Sequence, residues 1–203
     1  MAAITPEAVI LASASPTRAR LLEAAGVGFS VDPASIDEGA LKRRARESGQ
    51  PAIACALMLA TEKAGNVSAR HRDALVIGAD QLLVSNDKWF DKPASLAEAR
   101  EQLLALRGRT HVLATAVSVV RGGDRLWHTT SAPELMMRPF SHAFLDDYLA
   151  AEGEVLLGSV GAYRLEGRGA QLFAWMTGDH FAVLGLPLFE LLEVLRGRGA
   201  ILS

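Results

Sequence analysis

Ser13, Ser15 and Arg18 follow directly on the apolar run Val9-Ile10-Leu11-Ala12. Two hydroxyls and a guanidinium at the start of a helix are the parts of an anion site. First-turn N–H groups lack carbonyl partners, the helix dipole is positive there, and arginine donates in a fork that matches phosphate. The apolar run reads as a short buried strand. Ser15 reads as an N-cap, Pro16 as the first helical residue, where its missing N–H costs nothing, and Gly26 as a C-cap. Arg18 then lies in the first turn, against the dipole. A bound phosphate would relieve that conflict; the alternative is an ordinary surface arginine.

The acids and lysines are more scattered. Asp80 follows Leu75-Val76-Ile77-Gly78-Ala79, which reads as a buried strand ending at Ala79. Ligands of α/β sheets gather beyond the carboxyl ends of strands. A carboxylate there is either a metal ligand or general base, or a turn residue capping the next element. Lys92-Pro93 comes after a turn at Asn86-Asp87. Proline fixes the chain beside the lysine and would aim its ammonium at a phosphate; otherwise Lys92 is a solvated loop residue. Asp37-Glu38 either shares a divalent cation or starts a polar helix with favourable dipole charge. Lys63, in an Ala-rich helix, either reaches a pocket or belongs to that helix's polar face.

The elements that must position these residues alternate between apolar runs and helical segments, which predicts an α/β fold. Residues 29–32 read as a short strand and 39–49 as a polar surface helix or lobe tip. Pro51 opens a helix to about Ser68. Ser95-Leu96-Ala97-Glu98 is a capping box for a helix that ends before Gly108. His111 to Val120 is β-prone, 121–124 is a hairpin turn, and a strand returns through Leu126 and Trp127. Ser141 caps a helix through Tyr148. Residues 158–169 are glycine-rich, and Leu188 to Leu195 forms the last helix.

With 203 residues, half of them hydrophobic, the chain suits one domain or two closely packed lobes. A net charge of −2 and no long Lys/Arg run argue against nucleic acid on a broad basic face. The single Cys55 reads as a small core residue. With no internal disulfide, no signal-like leader and no membrane-length apolar run, a cytoplasmic protein is expected. G-x-x-x-x-G-K-[ST] and G-x-S-x-G are absent. G-x-G-x-x-G fails at Leu172 and at Val31. His71, His111, His128, His142 and His180 have no zinc-like spacing.

In order and spacing, several segments together resemble the Maf family of nucleoside triphosphate pyrophosphatases. They are 11–18, Asp37-Glu38, Glu62-Lys63-Ala64, Gly78-Ala79-Asp80-Gln81, Lys92-Pro93, 161–167 and Gly185-Leu186-Pro187-Leu188. The resemblance spans nearly the full chain. It implies one Maf-like domain over 1–203: a mixed twisted sheet with flanking helices and two lobes around a nucleotide cleft, with a homodimer as its assembly. It implies hydrolysis between the α- and β-phosphates with a divalent cation, magnesium or manganese. Carried over, Ser13, Ser15 and Arg18 would hold the triphosphate, and Lys63 and Lys92 would neutralise it. Asp80 would be the catalytic carboxylate, and Asp37, Glu38 and Asp80 would hold the metal. Two departures bear on the base. Many pyrimidine-preferring members have Asp-Thr where this chain has Asp80-Gln81, and Ile-Gln-Gly where it has Leu165-Glu166-Gly167. A carboxylate only accepts, which suits guanine's N–H edge and the cationic ring of 7-methylguanine. Glu166 would then read a purine or modified purine; alternatively it pairs with Arg164 or Arg168. A nucleotide-binding regulator of septum formation or cell division, acting through a partner, is the other class of function.

Overall fold

Two long antiparallel strands, β3 (Leu75–Ser85) and β5 (Thr110–Arg121), form the spine of the computed structural model, which describes residues 7–202. They stay in register from Val76↔Val120 to Val84↔Val112. On the other edge of β3, β1 (Val9–Leu11) pairs in parallel along Leu75–Ile77. Farther along that edge, β4 (Lys88–Phe90) pairs antiparallel with Leu83–Ser85. Between them, among the described residues, the edge of β3 from Gly78 to Leu82 carries no strand. The outer edge of β5 is divided in the same way. β6 (Asp124–Ser131) covers Thr115–Arg121, and β7 (Glu134–Met137) covers Thr110–Val112. β2 (Ser30–Val31) adds to β1, and β8 (Phe173–Met176) to β7. The result is a mixed eight-stranded sheet whose two halves share only the spine.

Alternation along β3 sorts its side chains between two faces. Val76 and Leu82 turn toward α3 (Ala52–Ser68) and its Cys55, Ala56, Leu59, Ala60, Ala64 and Val67. Leu75, Ile77 and Ala79 turn the other way, into a cluster with Leu186, Leu191 and Leu195; the last two lie on α7 (Leu188–Gly197). Leu83 joins a separate cluster with Leu103 of α4 (Leu96–Leu106) and Leu145 of α5 (His142–Glu152). Burying each such leucine or isoleucine contributes about 1.5–3 kcal/mol. Cys55 is fully buried, as its surroundings in the sequence imply. No helix among the described residues is long and apolar enough to cross a membrane.

The small residues of α3 have a purpose. They let the helix lie so close to β3 that a Cβ on Gly78 would stand 2.0 Å from the Ala60 carbonyl oxygen. The caps at Ser15, Ser95 and Ser141 form as read, each side chain accepting from a backbone N–H three residues on. One expectation is corrected. β3 does not end at Ala79, and Asp80 lies mid-strand, opposite Ala116. The strand runs on because Gln81-Leu82-Leu83-Val84 is itself β-prone and the Asn86-Asp87 turn, both residues at positive φ, folds it back as a hairpin. What ends near Asp80 is its neighbour β1. Strands β4, β7 and β8 and the short helix α6 (His180–Val183) carry no pattern that the sequence reading used.

Candidate functional site

The chain leaves the sheet after β1 and turns through Ser13-Ala14-Ser15 into α1 (Pro16–Ala24), beside the open stretch of β3. Ser13 Oγ accepts from the Ser15 N–H at 3.2 Å and from Arg18 Nη1 at 3.1 Å. Ser15 Oγ caps the Arg18 N–H at 3.4 Å. Arg18 is not a surface arginine. Its Nη1 also donates to the Ala79 carbonyl at 2.8 Å, and its Nε to the Gly185 carbonyl at 2.9 Å. Two carbonyls from other elements therefore meet the cation that its own helix end disfavours. Gly185 sits at φ +93°, and a Cβ there would stand 3.2 Å from Arg18 Nε, so this approach requires glycine. Burial lowers the Arg18 pKa, against Asp80 and Glu38, which raise it. The guanidinium remains charged at any physiological pH.

On the α3 face of the open stretch lies Asp80, 5% exposed. Lys63 Nζ donates to its Oδ1 at 2.5 Å, while its Oδ2 is buried with no hydrogen-bond partner. Lys63, itself 8% exposed, also pairs with Glu38 Oε1 at 2.9 Å. The bare glycine at 78 is what brings α3, and with it Lys63, within reach. Glu38 is the first residue of α2 (Glu38–Glu47). Its adjacent acid behaves differently: Asp37 caps that helix, its Oδ1 accepting from the Ala40 N–H at 2.9 Å, and it does not line the cleft. Burial pushes the Glu38 pKa up, but Lys63, Lys42 and Lys92 outweigh it and the pKa falls below its usual value. The Lys92 ammonium is lowered, by burial first and then by Arg18 and Lys63, against Glu38 and Asp80.

Ser13, Ser15, Arg18, Glu38, Lys63, Asp80 and Lys92 line one cleft of about 850 Å³, together with Tyr163 and Glu166. Glu166 Oε1 accepts from Thr17 Oγ1 and Arg20 Nη2, both at 3.3 Å, and lies 3.7 Å from Arg164 Nε. Arg168 pairs instead with Asp147, at 2.7 Å. Tyr163 is held from below by buried His111, whose Nε2 shares a 2.8 Å hydrogen bond with its hydroxyl. Burial depresses the His111 pKa to about 4. Gln81, on the face of β3 away from Asp80, gives its Nε2 to Thr115 Oγ1, the Ala182 carbonyl and the Val183 carbonyl.

The structure thus gathers Ser13, Ser15, Arg18, Lys63, Asp80, Lys92, Glu38 and Glu166 in one cleft and leaves Asp37 outside its lining. Lys42 and Asp91 escaped the sequence reading. They pair at 3.0 Å, with Arg46 on the second Asp91 oxygen at 3.2 Å, and so tie α2 to the loop carrying Lys92. Nothing local marks them, because the partners are far apart in the chain.

Four similarities to known proteins bear on this cleft. The family model described as Maf-like protein matches residues 8–198. A nucleoside triphosphate pyrophosphatase of Rhodospirillum rubrum is 50% identical over 203 residues, the full length of both chains. One of Paramagnetospirillum magneticum is 55% identical over 191 residues, 94% of this chain and 98% of its own. A 7-methyl-GTP pyrophosphatase of Rhizobium johnstonii is 47% identical over 198 residues, 98% of this chain and 99% of its own.

Proposed function

This chain belongs to the Maf-like protein family, and we propose that it is a nucleoside triphosphate pyrophosphatase, releasing a nucleoside monophosphate and pyrophosphate. The observation that carries the reading is a buried carboxylate oxygen without a partner, Asp80 Oδ2, in a cleft whose walls hold Lys63, Arg18 and Lys92. An oxygen buried in this way costs free energy unless something in the working state uses it. Asp80 Oδ2 takes a proton from a water as that water's oxygen bonds to the α-phosphorus. The bond from that phosphorus to the bridging oxygen breaks, and the electron pair leaves with pyrophosphate. Ser13, Ser15 and the first-turn N–H groups of α1 seat phosphate oxygens, while Arg18, Lys63 and Lys92 offset their charge. Fixed cations and oriented donors supply most of what phosphoryl chemistry needs.

A divalent cation fits the donor set, because Asp80 Oδ1 and Glu38 Oε1 already converge on one positive charge, the Lys63 ammonium. Magnesium or manganese held by Glu38 and Asp80 would supply further neutralisation of the phosphates. Asp37, spent on its cap, acts by setting where α2 begins. The lone buried cysteine suits a reducing compartment, and we place the activity in the cytoplasm.

For the base, we read Glu166 as the selecting group. Its carboxylate lines the cleft that Asp80 also lines, against Thr17 and Arg20 of α1, and a negative charge favours a cationic methylated guanine over neutral bases. Pyrophosphate release from 7-methyl-GTP, GTP, UTP and dTTP with Mn2+ tests both levels. The highest kcat/KM is expected for 7-methyl-GTP. Preference for the pyrimidines would overturn the base reading, and no pyrophosphate from any triphosphate would overturn the class of reaction.

A further inference from the structure

We infer that Lys63 is a placeholder for the divalent cation: its ammonium holds the position between Asp80 Oδ1 and Glu38 Oε1 in the nucleotide-free protein and yields it to a cation that arrives already bound to a triphosphate. The inference rests on the proposed triphosphate hydrolysis and adds the order in which the parts assemble.

Three observations carry it. The first is geometric. Lys63 Nζ is 2.5 Å from Asp80 Oδ1 and 2.9 Å from Glu38 Oε1, so the two oxygens best placed to share a metal are both occupied by one internal cation. That cation is buried, and its four-carbon stem can carry the ammonium to a new partner. The second is charge. Arg18, Lys63 and Lys92 face the two carboxylates of Glu38 and Asp80, while Lys42 is matched by Asp91. The cluster is therefore net positive, which repels a bare divalent ion and attracts the anionic complex of that ion with a triphosphate. The third is the number of donors. Among the described residues, no group of three His, Cys, Asp or Glu side chains stands ready for a metal. Magnesium wants six oxygens and commonly takes one or two carboxylates plus substrate phosphates and water. The triphosphate completes the set that the protein leaves short.

The exchange keeps charge in balance. The incoming cation cancels Asp80 and Glu38. Lys63, released from them, joins Arg18 and Lys92 against the phosphates, so one lysine serves the empty site and the filled one in turn. Asp80 Oδ2 is untouched by the exchange and stays free for the attacking water.

Titration with Mn2+, read by loss of the free-ion electron paramagnetic resonance signal, tests this without turnover. Wild type should bind Mn2+ alone more weakly than in the presence of α,β-methylene-GTP, after subtraction of the nucleotide's own Mn2+ binding. Lys63→Met should bind Mn2+ alone at least about ten-fold more tightly than wild type, because two carboxylates then face the ion without a competing charge. Adding Glu38→Gln to that variant should remove the gain. A Lys63→Met protein that folds and binds Mn2+ no tighter than wild type overturns the inference. So does a wild type that binds Mn2+ equally well with and without the analogue. If Lys63→Met does not fold, Lys63→Gln is read in the same way, and if neither folds the wild-type comparison decides. A gain in Mn2+ affinity with no pyrophosphate released by wild type from any triphosphate would sink the proposed activity and leave the placeholder standing. Turnover without the gain does the reverse.

Discussion

On one wall of the cleft, Asp80, Lys63 and Glu38 project from a central strand and two helices, and the first two are less than a tenth exposed. On the other wall, Glu166 sits in a loop between 3-10 turns, a quarter exposed, and holds its position through hydrogen bonds and ion pairs to Thr17, Arg20 and Arg164. The first wall is held by backbone packing, down to a glycine against a helix carbonyl. The second is held by contacts between polar side chains near water, each worth at most about 1 kcal/mol. Groups that do chemistry need fixed distances, and burial supplies them. Groups that choose among bases need only complementarity, and a loop can change that without disturbing the reaction. The comparison predicts that damage to the first wall stops turnover for every nucleotide, while damage to the second re-orders nucleotides.

The sharpest break is expected from Asp80→Asn. The amide is nearly isosteric but takes no proton from water, and kcat should fall by about 10²–10⁴-fold for all triphosphates alike. The fold should persist at a lower melting temperature, because the buried Lys63 ammonium keeps only Glu38 as a charged partner; near wild-type turnover would move the base elsewhere, with Glu38 next in line.

Acid should attack the second wall from beneath. His111 is neutral in the fold, with its pKa at about 4, against 6.5 for an exposed histidine. Between these values the unfolded chain binds the proton and the folded one does not. The His111 contribution to stability is thus intact above pH 6.5 and shrinks as pH falls toward 4. The full difference is about 3–4 kcal/mol at about 1.4 kcal/mol per unit. Urea unfolding at pH 7 and pH 4.5 should show this slope in wild type and a shallower one in His111→Gln. Equal slopes would mean that other groups carry the acid sensitivity.

Gly78→Ala probes the first wall through the backbone. The added methyl meets the Ala60 carbonyl, so α3 must move away and carry Lys63 with it. A displacement of about 1 Å costs on the order of 10² in rate, and the loss should be equal for purine and pyrimidine substrates. A loss confined to one base would contradict the division between the walls.

Glu166→Gln is expected to have the smallest and most selective effect. It removes a charge and adds a donor where guanine presents N–H groups, a mismatch of about 1–3 kcal/mol, or about ten- to a hundred-fold in the kcat/KM ratio. The ratio of 7-methyl-GTP to UTP should drop while melting stays as in wild type. Parallel changes across 7-methyl-GTP, GTP, UTP and dTTP would take Glu166 out of the base pocket.

How far the sequence reached depended on the range of each interaction. The helix caps at Ser15, Ser95 and Ser141, the turns at Asn86-Asp87 and 121–124, and the apolar runs of β1 and of the first half of β3 were legible, because caps, turns and apolar runs are set by residues within a few positions of one another. The family resemblance likewise marked out Asp80, Lys63 and Arg18 as the residues to watch, as an ordered set of short segments. Only the tertiary structure decided what those residues touch. Asp80 is mid-strand because β3 runs on to Ser85 along β5, although β1 pairs with it only as far as Ile77. Lys63 bridges two carboxylates because Gly78 admits α3. Arg18 spans to Ala79 and Gly185, and Asp91 binds Lys42 and Arg46 across the chain. Asp37 and Glu38, neighbours of the same type, part company because one falls on the helix cap and the other on the side facing Lys63. Local propensity fixes conformation one turn or strand at a time. Which oxygen is left without a partner depends on how those elements pack, and that is settled only when distant segments meet.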